Sequence, residues 1–231
     1  MTSSIYPLEN RPKTLQQDIV QLLAELDYVQ AIYSFGSLLG DGWDRWSDID
    51  LIVITSCHAG FYSLKRTLHQ AKPIRHHHPL LPAEPNGHHL LGVIFEDESV
   101  FHCVDLNLFT PDEVADRQAL ERFGAIQLVY KASELPVVVE ACDEFSSQRL
   151  TAEEEQISVG IHFTKKHIKR VMRGQPAIDE LRKWSDYLRE TMRDYSENYQ
   201  VVGGNIGWIA YRYLGIADDI LNNQPDKGQT T

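Results

Sequence analysis

Two aspartates one residue apart, Asp48 and Asp50, open an apolar run, Leu51-Ile52-Val53-Ile54, and a glycine-serine pair, Gly36-Ser37, stands one loop upstream. The stretch from Ala31 to Ile54 reads as strand, turn and strand. Residues i and i+2 of a strand share a face, so both carboxylates project together while Ile49 and Leu51 point the other way. Two like charges held that close raise each other's proton affinity unless a cation lies between them. A hard divalent ion such as Mg²⁺ takes oxygen ligands and keeps positions open for phosphates. The glycine-serine turn offers a backbone pocket of phosphate size beside them.

A third acid, Asp105, lies within Val100-Phe101-His102-Cys103-Val104-Asp105-Leu106-Asn107-Leu108-Phe109. An ionised carboxylate in that apolar setting is costly unless paired or bound to a metal. Strand alternation offers a second reading, in which Asp105 shares an exposed face with Cys103 and Asn107.

The whole pattern is an apolar strand, Gly-Ser, a loop from Leu38 to Ser47, and Asp-Ile-Asp-Leu. It resembles the signature of the DNA polymerase β-like nucleotidyltransferases, in particular the small bacterial enzymes that adenylylate aminoglycosides and lincosamides. The resemblance runs from Ala31 to about Phe109. It implies Asp48, Asp50 and a third carboxylate on a neighbouring strand as catalytic and metal-binding residues, with Asp105 as that third acid, either metal ligand or proton acceptor. It also implies two Mg²⁺ ions, ATP or another nucleoside triphosphate as co-substrate, and Gly36 and Ser37 at the phosphates. Close relatives often carry Arg-Gly in the loop where this chain has Gly40-Asp41; the basic phosphate contact is then lost or supplied by Arg45. A lysine from a following helical domain commonly meets the phosphates in these enzymes. Lys165, Lys166 and Lys169 lie on the expected polar side of one helix, with Lys165 and Lys169 taken as the contacts.

The net charge of −11 is the wrong sign for gripping a nucleic-acid backbone, and no basic run with interleaved aromatics occurs. Template-directed polymerisation is therefore not expected, and an acidic surface suits a small cationic acceptor better. Three cysteines, Cys57, Cys103 and Cys142, lack metal-ligand spacing and read as reduced thiols of a cytoplasmic protein. Met1 to Asn10 has no apolar h-region and no stretch approaches a membrane span, so neither a leader nor a membrane partner is expected.

Helical spacing of Leu15, Ile19, Leu22, Leu23 and Leu26 predicts a helix over Lys13 to Asp27, ahead of strands over Tyr28 to Phe35 and Ile49 to Thr55. A helix over Phe61 to Ala71 follows, then a proline-punctuated loop from Lys72 to His89. That loop holds His76-His77-His78 and His88-His89, read as a solvated loop or a mobile flap rather than a zinc site. Leu90 to Glu96 and Val100 to Phe109 are expected to pair around a short acidic turn at Asp97-Glu98. A helix from Pro111 through Ala119 and a strand over Ala125 to Lys131 complete this half.

From Thr151 the pattern turns helical. Thr151 and Glu154 form a capping box ahead of Ile157, Ile161, Ile168 and Val171, and Gly174 and Pro176 end that helix. Ile178 to Tyr195 marks a second amphipathic helix. After a Gly203-Gly204 turn, Asn205 caps a third, bearing Ile206 to Ile220. Trp184, Tyr187 and Tyr211 are core or acceptor-lining residues.

The expected architecture is α/β (α+β): a mixed nucleotidyltransferase sheet flanked by helices over residues 1–148, then a helical bundle over 149–231 that completes the cleft. The expected activity is Mg²⁺-dependent transfer of a nucleoside monophosphate to a hydroxyl of a small molecule such as an aminoglycoside. A protein-modifying enzyme and a nucleotide-binding module without turnover are the alternatives, and a homodimer is compatible with the sequence.

Overall fold

A computed structural model of the chain describes residues 11–57, 59–77, 81–82, 89–115, 118–133, 152–198 and 205–223. It divides into two compact units, Met1–Arg149 and Leu150–Thr231.

The first unit is built on the strands β1 (Val29–Phe35), β2 (Ile49–Thr55), β3 (Ile74–His77), β4 (Leu81–Pro82), β5 (His89–Phe95), β6 (Val104–Phe109) and β7 (Ile126–Lys131). They form one sheet of order β3-β5-β6-β2-β1-β7, with β4 pairing β5. The central pair β2 and β6 is parallel, whereas β1 pairs antiparallel with β2 and β7, and β5 antiparallel with β6. A parallel pair needs a crossover, and the long segment between β2 and β6 supplies it through α2 (Ala59–Ala71).

Alternation sorts the sheet into two faces. Ile49, Leu51 and Val53 of β2 and Val104, Leu106 and Leu108 of β6 are buried with Leu15, Ile19 and Leu23 of α1 (Arg11–Ala24) and Leu64 and Leu68 of α2. Removing each such side chain from water contributes about 1.5–3 kcal/mol, which fixes the register of both strands. The opposite face carries Asp50, Ile52 and Ile54 of β2 and Asp105, Asn107 and Phe109 of β6. Its far end, with Ala31, Ile52, Ile54 and Phe109, is covered by Val114 of α3 (Pro111–Val114) and by Ala119 and Leu120 of α4 (Gln118–Glu121). The end bearing Asp50 and Asp105 stays half-exposed.

Several expectations are corrected. The segment 72–89 is not all loop: it holds β3 and β4, and His76 is buried on β3 at 2% exposure. Proline tolerates an edge strand because an edge residue need not donate to a ladder, and Pro82 lies on the two-residue β4. His76 and His77 lie on β3 and His89 opens β5, while His78 and His88 fall outside the described residues. The helix expected through Ala119 breaks into α3 and α4. Thr110 caps α3, its backbone N and Oγ1 lying 2.6 and 2.9 Å from Glu113 Oε2. The β5–β6 connection is longer than the acidic turn foreseen, since β6 begins only at Val104.

The second unit comprises α5 (Ala152–Met172), α6 (Ile178–Asn198) and α7 (Asn205–Asn222), packed on one another. Ile157, Ile161 and Ile168 of α5, Leu181, Leu188 and Met192 of α6, and Ile209, Tyr213 and Ala217 of α7 are buried. Gly160 lets α5 approach α6: an added Cβ would stand 3.3 Å from Leu188 Cα. The Thr151 end of the expected capping box and the Gly203-Gly204 turn lie outside the described residues, as does Cys142. No helix among the described residues is long and apolar enough to cross a membrane.

Candidate functional site

The parallel register of β2 and β6 aligns Asp50 with Asp105, one step after Ile49 with Val104. Paired strands run about 4.8 Å apart, so the two side chains stand as lateral neighbours on one face. Asp50 faces Phe35 on its other side, and Asp105 faces Gly92 of β5, where no side chain stands. One row across the sheet therefore reads Gly92, Asp105, Asp50, Phe35. Asp48 precedes β2 at half exposure. The Ile49 amide donates to the Cys103 carbonyl at 2.9 Å, which carries the parallel pairing up to the Asp48 peptide. Cys103, a buried thiol, donates from Sγ to Asp105 Oδ1 at 3.2 Å and so fixes one side of that carboxylate.

The glycine-serine turn closes on the same acids. Gly36–Leu39 is a single 3₁₀ turn directly after β1, anchored by Leu38 in the core while Gly36 and Ser37 remain exposed. Gly36 has φ +74°, and a Cβ there would collide with Asp50 Oδ2 and lie 3.1 Å from its Cγ. Both constraints demand glycine: the left-handed backbone and the carboxylate resting against its Cα. Gln16 Nε2 of α1 donates to Ser34 Oγ at 2.6 Å, tying the helix to the end of β1.

The loop from Gly40 to Ser47 holds its own shape. The Trp46 amide donates to Asp44 Oδ1 at 3.0 Å, and the Asp44 amide to Ser47 Oγ at 3.0 Å. Trp46 packs edge-on against Phe101 with centroids 5.1 Å apart. Arg45 is half-buried, and His102 Nε2 donates to its carbonyl at 3.0 Å.

Beneath this loop lies a charged node that the sequence did not signal. Glu98 stands beside Asp97 in the short acidic turn the sequence predicts, and its side chain is 4% exposed and ion-paired with Arg11 of α1 and with Lys72 at 3.2 Å. Burial alone would raise the Glu98 carboxyl; His102, Arg11 and Lys72 together outweigh it and hold the group down at about 2. Nothing in a one-dimensional pattern marks which of two adjacent acids turns inward.

In the second unit, Lys165 is half-buried and Lys166 exposed on α5, but Lys169 does not lie on the polar face: it is 5% exposed. The helical period places position 169 between Thr164 and Ile168 on one side and the open face on the other, and packing decides for burial. Burial, with Arg170 close by, holds the neighbouring His167 imidazole below its ordinary value. Trp184 stacks on Phe163 at 4.1 Å and meets Tyr187 edge-on at 5.5 Å, whereas Tyr211 is 55% exposed. Among the described residues, no group of three or more His, Cys, Asp or Glu side chains converges as a ready-made metal cage.

Residues 17–128 match the nucleotidyltransferase domain family. The chain carries a nucleotidyltransferase domain. Its match takes in α1 from Gln17 onward, the Gly36-Ser37 turn and every strand of the sheet except the last residues of β7. The domain's mixed sheet and the helices after it agree with the DNA polymerase β-like resemblance. Two solved structures from Helicobacter pylori are similar in extent. One, whose assignment as a nucleotidyltransferase is provisional, is 14% identical over 92% of this chain and 94% of its own, with a TM-score of 0.28. The other, JHP933, is 16% identical over 92% and 91%, also with a TM-score of 0.28. No curated protein matches the chain in a sequence search. The nucleotidyltransferase domain thus identifies the chain as an enzyme of nucleotidyl transfer through the family match.

Proposed function

We propose that this domain transfers a nucleoside monophosphate, AMP from ATP, to a hydroxyl of a small molecule and releases pyrophosphate. The observation that supports it most is the lateral pairing of Asp50 with Asp105 directly against the Gly36 turn. The acceptor oxygen forms a bond to the α-phosphorus, the bond from that phosphorus to the bridging oxygen breaks, and pyrophosphate leaves. Asp105 either accepts the hydroxyl proton or serves as a metal ligand. Gly36 and Ser37 hold the terminal phosphates through the exposed turn, and Arg45 supplies the basic contact that Gly40-Asp41 does not.

The donor set fits Mg²⁺. The acids are carboxylate oxygens, half-exposed and adjacent, and Mg²⁺ is characteristically held by one or two carboxylates with substrate phosphates and waters filling the rest of its shell. When bound, two such ions on Asp48, Asp50 and Asp105 would polarise the α-phosphoryl group and stabilise the leaving pyrophosphate. The charge of −11 favours a polycationic acceptor of the aminoglycoside type.

The test is Mg²⁺-dependent pyrophosphate release over a panel of nucleotides and hydroxyl-bearing acceptors, small molecules and proteins together. Release with a cationic small acceptor, lost in Asp50→Asn, supports the proposal. Release with protein acceptors alone would move it to a protein-modifying enzyme, and none with any acceptor would reject turnover.

A further inference from the structure

We infer that His102 is a positioning residue that clamps the loop carrying Arg45 and thereby sets nucleotide affinity without touching the nucleotide. The inference rests on the reading of that loop as a phosphate contact. A carbonyl oxygen only accepts, so the 3.0 Å contact to Arg45 O puts a proton on His102 Nε2. The ring is 1% exposed, and its Nδ1 stands 3.7 Å from Glu98 Oε2. Glu98 is in turn held by Arg11 of α1 and by Lys72 just beyond α2. The buried imidazole therefore ties the backbone of the loop to the β5–β6 connection, with the Glu98 node packed beside it and not hydrogen-bonded to its Nδ1.

Three further polar contacts of the loop differ in kind. Those among Asp44, Trp46 and Ser47 are internal and set its shape, not its place. Trp46 against Phe101 is a ring contact that tolerates sliding. The His102 bond grips the main chain at Arg45 itself, three residues before Asp48, and a buried hydrogen bond fixes direction as well as distance. Releasing it leaves the Arg45 side chain less constrained.

The test compares His102→Asn, His102→Phe and His102→Gln in the full chain. A glutamine amide nitrogen reaches about as far as Nε2 and keeps a donor for the Arg45 carbonyl; asparagine is too short, and phenylalanine keeps the ring without the donor. Binding of a non-hydrolysable ATP analogue with Mg²⁺, kcat and KM for pyrophosphate release, and hydrogen exchange of the amides at 43–48 are measured. Asn and Phe are expected to accelerate exchange at 43–48 and raise Kd and KM about tenfold with kcat nearly unchanged, and Gln to restore all three. Unchanged exchange in Asn and Phe, failure of Gln to restore it, or a loss confined to kcat overturns the inference. Wild-type protein that binds no nucleotide rejects the proposed function instead, and the exchange data still decide whether His102 holds the loop.

Discussion

Replacing Gly36 by alanine separates two demands that the structure places on one residue. At φ +74° an alanine carries left-handed strain of about 1–2 kcal/mol. Its Cβ would also collide with Asp50 Oδ2, and the nearest relief is rotation of the Asp50 carboxylate away from Asp105. Gly124 supplies the control: its φ is +70°, but nothing lies within 4 Å of an added Cβ. Gly124→Ala should therefore lose about 1–2 kcal/mol by urea unfolding with turnover intact. Gly36→Ala should lose a similar amount of stability and, in addition, about a hundredfold in kcat, the scale on which a 1 Å misplacement of a reacting group acts. Comparable turnover in the two purified variants would refute the claim that Gly36 seats the Asp50 carboxylate.

Asp48→Asn, Asp50→Asn and Asp105→Asn should each lower turnover by roughly a thousandfold or more while leaving the far-ultraviolet spectrum and urea midpoint near wild type, because each removes charge rather than core volume. Isothermal titration should find Mg²⁺ binding weakly alone and ATP binding lost in EDTA, since nucleotide phosphates complete the ion's shell. Glu98 is depressed from 4.5 to about 2, so it contributes stability that is full above about pH 4.5 and is lost as pH falls through about 2. That contribution is on the order of 3 kcal/mol, and a Glu98→Gln variant should be less stable at neutral pH, the gap closing with acidification in paired urea titrations. Gly160→Val should destabilise the helical unit by about 1–3 kcal/mol because Leu188 backbone stands against the new side chain; an unchanged melting profile would contradict that packing.

The elements nearest the chemistry were the most legible in the sequence, for a physical reason. β2 begins and ends where the apolar run places it, since a strand buried on one face tolerates no slip of register. The alternation within β6 likewise announced that Val104 and Leu106 turn to the core and Asp105 away from it. What no local pattern carried was partner choice. That β6 lies parallel to β2, and so brings Asp105 level with Asp50, is a non-local fact set by the crossover through α2. The segment 72–89 misled because proline and histidine lower strand propensity, yet pairing with β5 overrides propensity at an edge. Lys169 misled because a charged residue on a polar helix face is turned inward by tertiary packing, and the same kind of packing, with partners on Arg11 and Lys72, buries Glu98 within its acidic turn. The Cys103 contact to Asp105 was within reach of alternation, which puts residues 103 and 105 on one face, but the thiol bond itself depends on rotamers.

The most direct test of the account is anomalous diffraction from crystals grown with Mn²⁺ and a non-hydrolysable ATP analogue. The account predicts a metal peak bridging the analogue's phosphates to Asp50 and Asp105, at metal–oxygen distances a little above the 2.0–2.1 Å typical of Mg²⁺, with the terminal phosphates against Gly36 and Ser37. A nucleotide bound elsewhere, or a metal that meets the phosphates without either carboxylate, would contradict it.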